Sequence, residues 1–366
     1  MKNILLTTTA LVAFAGAAAA EGHTSIDNEF AVTLGYNSEN NPGEAGENGF
    51  YWEGNMKTTA TATLDNGLIA GAYFEVTIAD DSALATDDGG NDLMSSDFVL
   101  SLTSDTASLF FGDTAPAGKK YFSAAGDMEG DSFSTDSDAA VLRGDVSFGM
   151  MNGSISYIID DANDTAEQLA VGLGATFGAF TVGFGYQEDT TFADAEGDFN
   201  SDEVFGVSAS GTFAGATVTV AYAEETNADE QSTAIKVAYP FGPVTASVYY
   251  SMEEAGGVDV DDNYGIEVAY SEGAVGASAK FRNEQGRDEW NIEGSYDLGN
   301  GMTVLAGALN ENEGDDVDFY LGGTYDLGGS ASILAVYAQD EDGDQGDEIA
   351  SGEYDPGMTV EVSFTF

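Results

Sequence analysis

The chain has 366 residues, of which 65 are acidic and 9 basic, giving a formal net charge of −56. That balance repels phosphate backbones and excludes a nucleic-acid binder. With no cysteine, disulfide frameworks and thiolate metal sites are excluded too, while 43% hydrophobic and 11% aromatic residues argue against disorder.

Residues 1–20 read as an export signal, with Lys2 as the positive end and Ile4 to Ala17 as an apolar stretch too short to span a bilayer. Ala18 and Ala20 are the small pair expected before cleavage, so the mature chain begins at Glu21 and a single domain fills 21–366. No later stretch is long and apolar enough for a transmembrane helix. The periplasm, the medium and the outer membrane, entered as a barrel, remain as destinations.

From Asp27 to Tyr36 onward the chain is a series of short alternating segments with two kinds of connector. Tight turns are predicted at Asp65-Asn66-Gly67, Met151-Asn152-Gly153, Phe177-Gly178-Ala179, Ala214-Gly215, Phe241-Gly242, Glu272-Gly273, Leu298 to Gly301 and Leu327 to Gly329. Longer acidic connectors fall at Asp80 to Asp92, Asp160 to Asp164, Glu188 to Glu203, Glu224 to Glu230, Glu253 to Asp262, Glu311 to Asp318 and Asp340 to Asp355. Short turns alternating with long acidic loops are the pattern of an up-and-down barrel.

Within segments the side chains alternate with a period of two. Phe180, Val182, Phe184 and Tyr186 oppose Thr181, Gly183, Gly185 and Gln187; Met358, Val360, Val362, Phe364 and Phe366 oppose Thr359, Glu361, Ser363 and Thr365. A soluble sandwich with one wet face would also alternate. Three features favour the membrane. The polar face is small and polar, and Tyr186, Tyr222, Tyr239, Tyr250, Tyr270, Tyr296, Tyr325 and Tyr337 sit near segment ends, where an interfacial girdle would lie. Many segments have the length of a tilted membrane strand. The hairpin unit also recurs at intervals of about 27 to 37 residues. The expectation is an all-β, antiparallel up-and-down transmembrane barrel, with an even strand number between about sixteen and twenty.

The final Ser363-Phe-Thr-Phe366 looks like the terminal strand by which outer-membrane barrels are recognised for insertion, with Phe366 as the signal. The stretch Ser108-Leu-Phe-Phe-Gly-Asp113, followed by Thr114 to Gly130, resembles the strand and third loop of Gram-negative general porins. The hairpin from Ala175 to Tyr186 and the segment Ser295-Tyr-Asp-Leu-Gly299 resemble those of α-proteobacterial, Rhodobacter-type porins. The resemblance implies trimers of barrels with about sixteen strands, the third loop folded into each lumen. It further implies the outer membrane as location, lipid and the barrel-insertion machinery as partners, and passive diffusion of ions and small hydrophilic solutes as function.

A pore selects by the charge at its narrowest point. The longest connector without strand character, Thr114 to Ala140, carries Asp127, Glu129, Asp131, Asp136 and Asp138, with Asp113 before it and Lys119 and Lys120 near its start. These carboxylates are the candidate acidic side of a constriction. Lys57, Arg143, Lys236, Lys280 and Arg282 all fall on the polar face of their segments, as any strand cation must, since lipid exposure costs about 2–4 kcal/mol. Lys57 and Arg143, close to the third-loop strands, are the expected basic side of a transverse field. The excess of acids predicts a preference for cations.

Other chemistry has little support. The acids and glycines of Asp340 to Glu348, and Asp87, Asp88 and Asp92, have the composition of oxygen-ligated Ca²⁺ loops, but it is shared with ordinary solvated loops and any metal is left open. His23 is the single histidine and stands beside the mature N-terminus, so Ser-His and Cys-His catalysis are excluded. The alternatives to a channel are a structural or adhesive barrel with a filled lumen, and a soluble acidic β-protein.

Overall fold

The computed structural model describes residues 24–38, 49–80, 94–134, 140–160, 165–188, 203–226, 228–310, 317–339, 354 and 356–366. Five strands come first: β1 (Thr24–Asn37), β2 (Phe50–Thr63), β3 (Ile69–Asp80), β4 (Met94–Thr103) and β5 (Ala107–Gly112). The third connector follows, with a single-turn helix α1 (Ala117–Tyr121) and a 3-10 turn at Glu129–Asp131. Next come β6 (Ala140–Phe148), β7 (Met151–Asp160), β8 (Thr165–Phe177), β9 (Phe180–Glu188), β10 (Glu203–Phe213), β11 (Ala216–Glu225), β12 (Glu230–Phe241) and β13 (Val244–Ala255). The remainder is β14 (Val258–Asp259), β15 (Asn263–Glu272), β16 (Val275–Glu284), β17 (Arg287–Gly299), β18 (Met302–Asn310), β19 (Asp318–Asp326), β20 (Ala331–Gln339) and β21 (Gly357–Thr365).

Each strand pairs antiparallel with its neighbours in sequence, and β13 passes over the two-residue β14 to pair with β15. The sheet then closes on itself. β1 pairs with β21 from Ala31↔Thr365 to Asn37↔Thr359, and Phe30 and Phe366 exchange backbone hydrogen bonds of 3.1 and 2.8 Å. Of the twenty-one strands β14 alone stands outside the ring, so twenty form the wall. The strand number is even, as expected, and larger than the family resemblance implies. Closure leaves no unpaired edge, the condition for β-structure in lipid.

The outer face is predominantly apolar. Val220, Ile235, Tyr250 and Tyr264 form one cross-strand row, each between 42% and 45% exposed. Many such rows make an exposed apolar area far beyond what a water-soluble monomer carries, so this surface meets hydrocarbon. Several tyrosine hydroxyls at the strand ends bond to nearby acids: Tyr186 to Glu203, Tyr222 to Glu224, Tyr250 to Asp262 and Tyr270 to Glu272. Ring in lipid and hydroxyl in water is the arrangement of an interfacial girdle.

Some local expectations need correction. Asn152-Gly153 is not a turn: Phe148 pairs with Met151, the turn is Gly149-Met150, and the Asn152 side chain bonds Ser147 across the ladder. Gly149, with φ +62°, supplies the left-handed position that the turn needs. Ser104 to Thr106 is a further tight connection, between β4 and β5. The connectors at Glu224 to Glu230 and Glu253 to Asp262 are shorter than their acids suggest, since β11 runs to Glu225, β12 starts at Glu230 and β13 reaches Ala255. Acids end a membrane strand only inside the hydrocarbon; above it the ladder continues at no lipid cost. Most of the other acidic connectors, including Asp340 to Glu348 and Asp87, Asp88 and Asp92, lie outside the described residues.

Candidate functional site: an inner loop bedded on the wall

The third connector turns inward because β5 is cut short. Gly112 takes φ +123°, and a Cβ there would meet the Phe98 carbonyl at 2.1 Å, so only glycine turns the chain away from β4. The Asp113 carboxylate accepts the Phe98 backbone N–H, which fixes the corner. Asp113 therefore shapes the loop's start rather than lining an opening.

Past the corner the loop lies flat on the inner face of β7 to β12. Its backbone amides donate to wall side chains: Ala117 to Ser156 (2.8 Å), Ser123 to Ser208 (3.1 Å), Gly130 to Ser232 (2.8 Å) and Ser134 to Gln187 (3.0 Å). The wall is stripped of side chains where the loop is closest. A Cβ at Gly183 would stand 1.9 Å from the Tyr121 carbonyl, and one at Gly172 2.1 Å from that of Ala117. Phe122, Ala125, Met128 and Phe133 pack onto Val204, Ala221, Ala223 and Ala234 as a small apolar core inside the barrel. The polar face of the barrel is thus a fitted bed as well as a pore lining.

Charges complete the anchoring. Arg143, 8% exposed, donates to the Ala115 carbonyl, pairs with Asp145 at 3.3 Å and lies 4.9 Å from the Phe110 ring centroid. Lys120 pairs with the same Asp145, and Lys119 lies 3.9 Å from Asp131. Arg143 is held under the loop, four strands from Lys57, and no contact joins the two. Replacing Arg143 by alanine removes a charged hydrogen bond to the loop, worth about 2 kcal/mol. The expected result is noisier open-channel current and a lower melting temperature, with little change in ion preference. A marked change in preference with quiet current would overturn the anchoring role.

The acids of the loop meet other wall residues. Glu129 accepts from Asn263 at 2.7 Å. Asp127 lines a cavity of about 290 Å³ with Lys236, Ser247, Tyr249, Glu267, Lys280 and Arg282. Arg282 pairs with Glu289 and Glu284, and Arg287, at the hairpin above, extends this network. Lys57 stands in the register row Glu29–Lys57–Glu75–Asp97, paired to Glu75 at 3.5 Å. Asp136 and Asp138 lie outside the described residues. The five wall cations all stand five to seven residues from the short-turn end of their strands: Lys57 is six residues before Thr63, Arg143 five before Phe148, Lys236 five before Phe241, and Lys280 and Arg282 five and seven after Val275.

Burial raises the Asp131 pKa to about 6, Asp127 and Glu129 add to the rise, and Lys119 opposes it. Burial also pushes Asp127 up, with Glu284 adding and Arg282 opposing. Asp131 is therefore ionised above about pH 6 and neutral below. Cation preference is expected to fall as pH drops from 7.5 to 5, and the step near 6 should vanish in Asp131→Asn. Permeability ratios recorded across that range check this; an unchanged step in the variant would assign it elsewhere.

The residues missed from sequence are those that dock the loop, Phe122, Met128, Phe133 and the wall glycines, together with Arg287 in the Arg282 network. Aromatic residues inside an otherwise polar connector were the available signal.

A closed, lipid-facing barrel whose third loop narrows the lumen is the architecture of an outer-membrane diffusion channel. The sequence matches the Gram-negative porin family over residues 7–345, and the chain belongs to that family of non-enzymatic outer-membrane channels. Solved structures with the same fold include a variant of the Rh. blastica porin carrying an alanine-to-lysine replacement, 17% identical with a TM-score of 0.51, covering 74% of this chain and 98% of that one. A Rh. blastica variant with a lysine, an arginine, an aspartate and a glutamate changed to alanine gives the same values. At such identity the likeness establishes the fold alone. Comparison with curated sequences gives no significant match.

Proposed function

We propose that this porin is a general diffusion channel that prefers cations and passes ions and small hydrophilic solutes. The observation that carries this reading is the charge of the surfaces beside the lumen. The loop contributes Asp127, Glu129 and Asp131, and the row on β1 to β4 sets three acids around Lys57. Arg143, the other cation expected to oppose the loop, is covered by it. A negative lumen concentrates cations and repels anions within a Debye length of about 8 Å at physiological salt. Lys236, Lys280 and Arg282 provide the basic groups facing Asp127, so the transverse field runs between the loop and β12 to β16.

Residues 1–20 serve export, the β21 strand with Phe366 addresses the insertion machinery, and the working unit is a homotrimer, as the sequence resemblance implies. Phe366 is 74% exposed, open to such recognition. The reading is tested by the reversal potential of the purified protein in a planar bilayer under a KCl gradient. A potential of the sign set by K⁺ is expected. The opposite sign would remove the cation preference, and a silent bilayer would favour a structural or adhesive barrel.

A further inference from the structure

The chain has eight basic residues outside the first twenty, all within the described residues. Six of them, Lys57, Lys119, Lys120, Arg143, Arg282 and Arg287, stand in ion pairs. The remaining two, Lys236 and Lys280, have no ion pair or hydrogen bond among the described residues, and both line the cavity beneath Asp127. In a protein this acidic, two unpaired ammonium groups in one cavity need a reason. Glu267 shares the cavity, faces Lys280 directly across the β15–β16 ladder, and is also unpaired among the described residues. Ser247 and Tyr249 add hydroxyls to the lining.

The charges of the cavity balance. Lys236 and Lys280 supply two positive charges, Glu267 and Asp127 two negative ones, and Arg282 together with Arg287 is neutralised by Glu289 and Glu284. A simple anion would enter against the field of the whole chain, and a simple cation would sit beside two lysines. A net-neutral solute with both charges avoids both penalties and finds a partner at each end. The volume of about 290 Å³ is ample for a small one. We propose that this cavity is a transit subsite for small zwitterions of the α-amino acid class, their carboxylate on Lys236 and Lys280 and their ammonium on Glu267 and Asp127. The inference rests on the channel reading and deepens it.

The test is single-channel recording in KCl with glycine as probe, and sodium acetate and methylammonium chloride as single-charge controls. Glycine is expected to lower the conductance saturably and add current noise, while neither control saturates over the same range. The double variant Lys236→Gln, Lys280→Gln should weaken the glycine effect by about fivefold, the size of a part-exposed ion pair. The double change to arginine should retain it, showing that charge and not fold is at issue. A linear response to glycine, equal saturation by acetate, or an undiminished effect in the glutamine variant would overturn the subsite while leaving the KCl conductance standing. Absence of any KCl conductance in the unaltered protein would instead remove the channel and the subsite with it.

Discussion

Replacing Phe122 and Phe133 together by alanine is expected to release the inner loop from the wall while the barrel stays closed. Their rings lie 5.2 Å apart and are 6% and 4% exposed, the two largest groups in the core inside the lumen. Losing a buried phenylalanine costs about 3–5 kcal/mol. The four amide-to-side-chain bonds that remain contribute about 1 kcal/mol each and the Arg143 bond to Ala115 about 2 kcal/mol, all open to competition from lumen water. Two such losses match or exceed what is left, so the docked state should no longer dominate. Lys119 and Lys120, now held in ion pairs on α1, become accessible to trypsin in detergent. Rapid cleavage after either lysine is expected, with strongly fluctuating conductance and an unaltered β-sheet circular dichroism spectrum, because no wall hydrogen bond involves these rings. A loop as resistant as in the parent protein, with steady current, would show that the apolar core does not hold it.

How much of this was legible beforehand differs between wall and loop. The wall follows from period-two alternation, because lipid outside and water inside impose opposite demands on successive side chains. Val360 and Thr359 on β21 could be assigned to faces from sequence alone, and so could every strand cation. Strand ends were less legible. Glu225 and Glu253 look like loop residues, yet the ladder continues beyond the hydrocarbon, where carboxylates carry no penalty. The loop could be located from its length and acids, but its docking site could not. Gly183 and Ser208 have the same small polar character whether they line water or receive a backbone, and only the fold distinguishes the two. Arg143 was misplaced for a related reason: alternation shows that it points inward, not that Ala115 covers it.

The second large effect concerns the wall of β1 to β4. The row Glu29–Lys57–Glu75–Asp97 holds three carboxylates and one ammonium, a sum of −2. The triple change Glu29→Gln, Glu75→Gln, Asp97→Asn leaves Lys57 alone and turns the row to +1 without moving a backbone atom. Cross-strand neighbours lie side by side on the lumen wall, so the change acts on a permeating ion as a single patch. The ratio of cation to anion permeability is expected to fall by about two- to fivefold at 0.1 M salt, where the Debye length is about 10 Å. At 1 M it shrinks to about 3 Å, and the variant should then approach the parent protein. Salt dependence therefore separates a field effect from a change of pore shape, since a reshaped constriction would differ equally at both concentrations. Reversal potentials of the two proteins at both salts check this. An unchanged ratio at 0.1 M would place the charge selection entirely at the loop, on Asp127, Glu129 and Asp131.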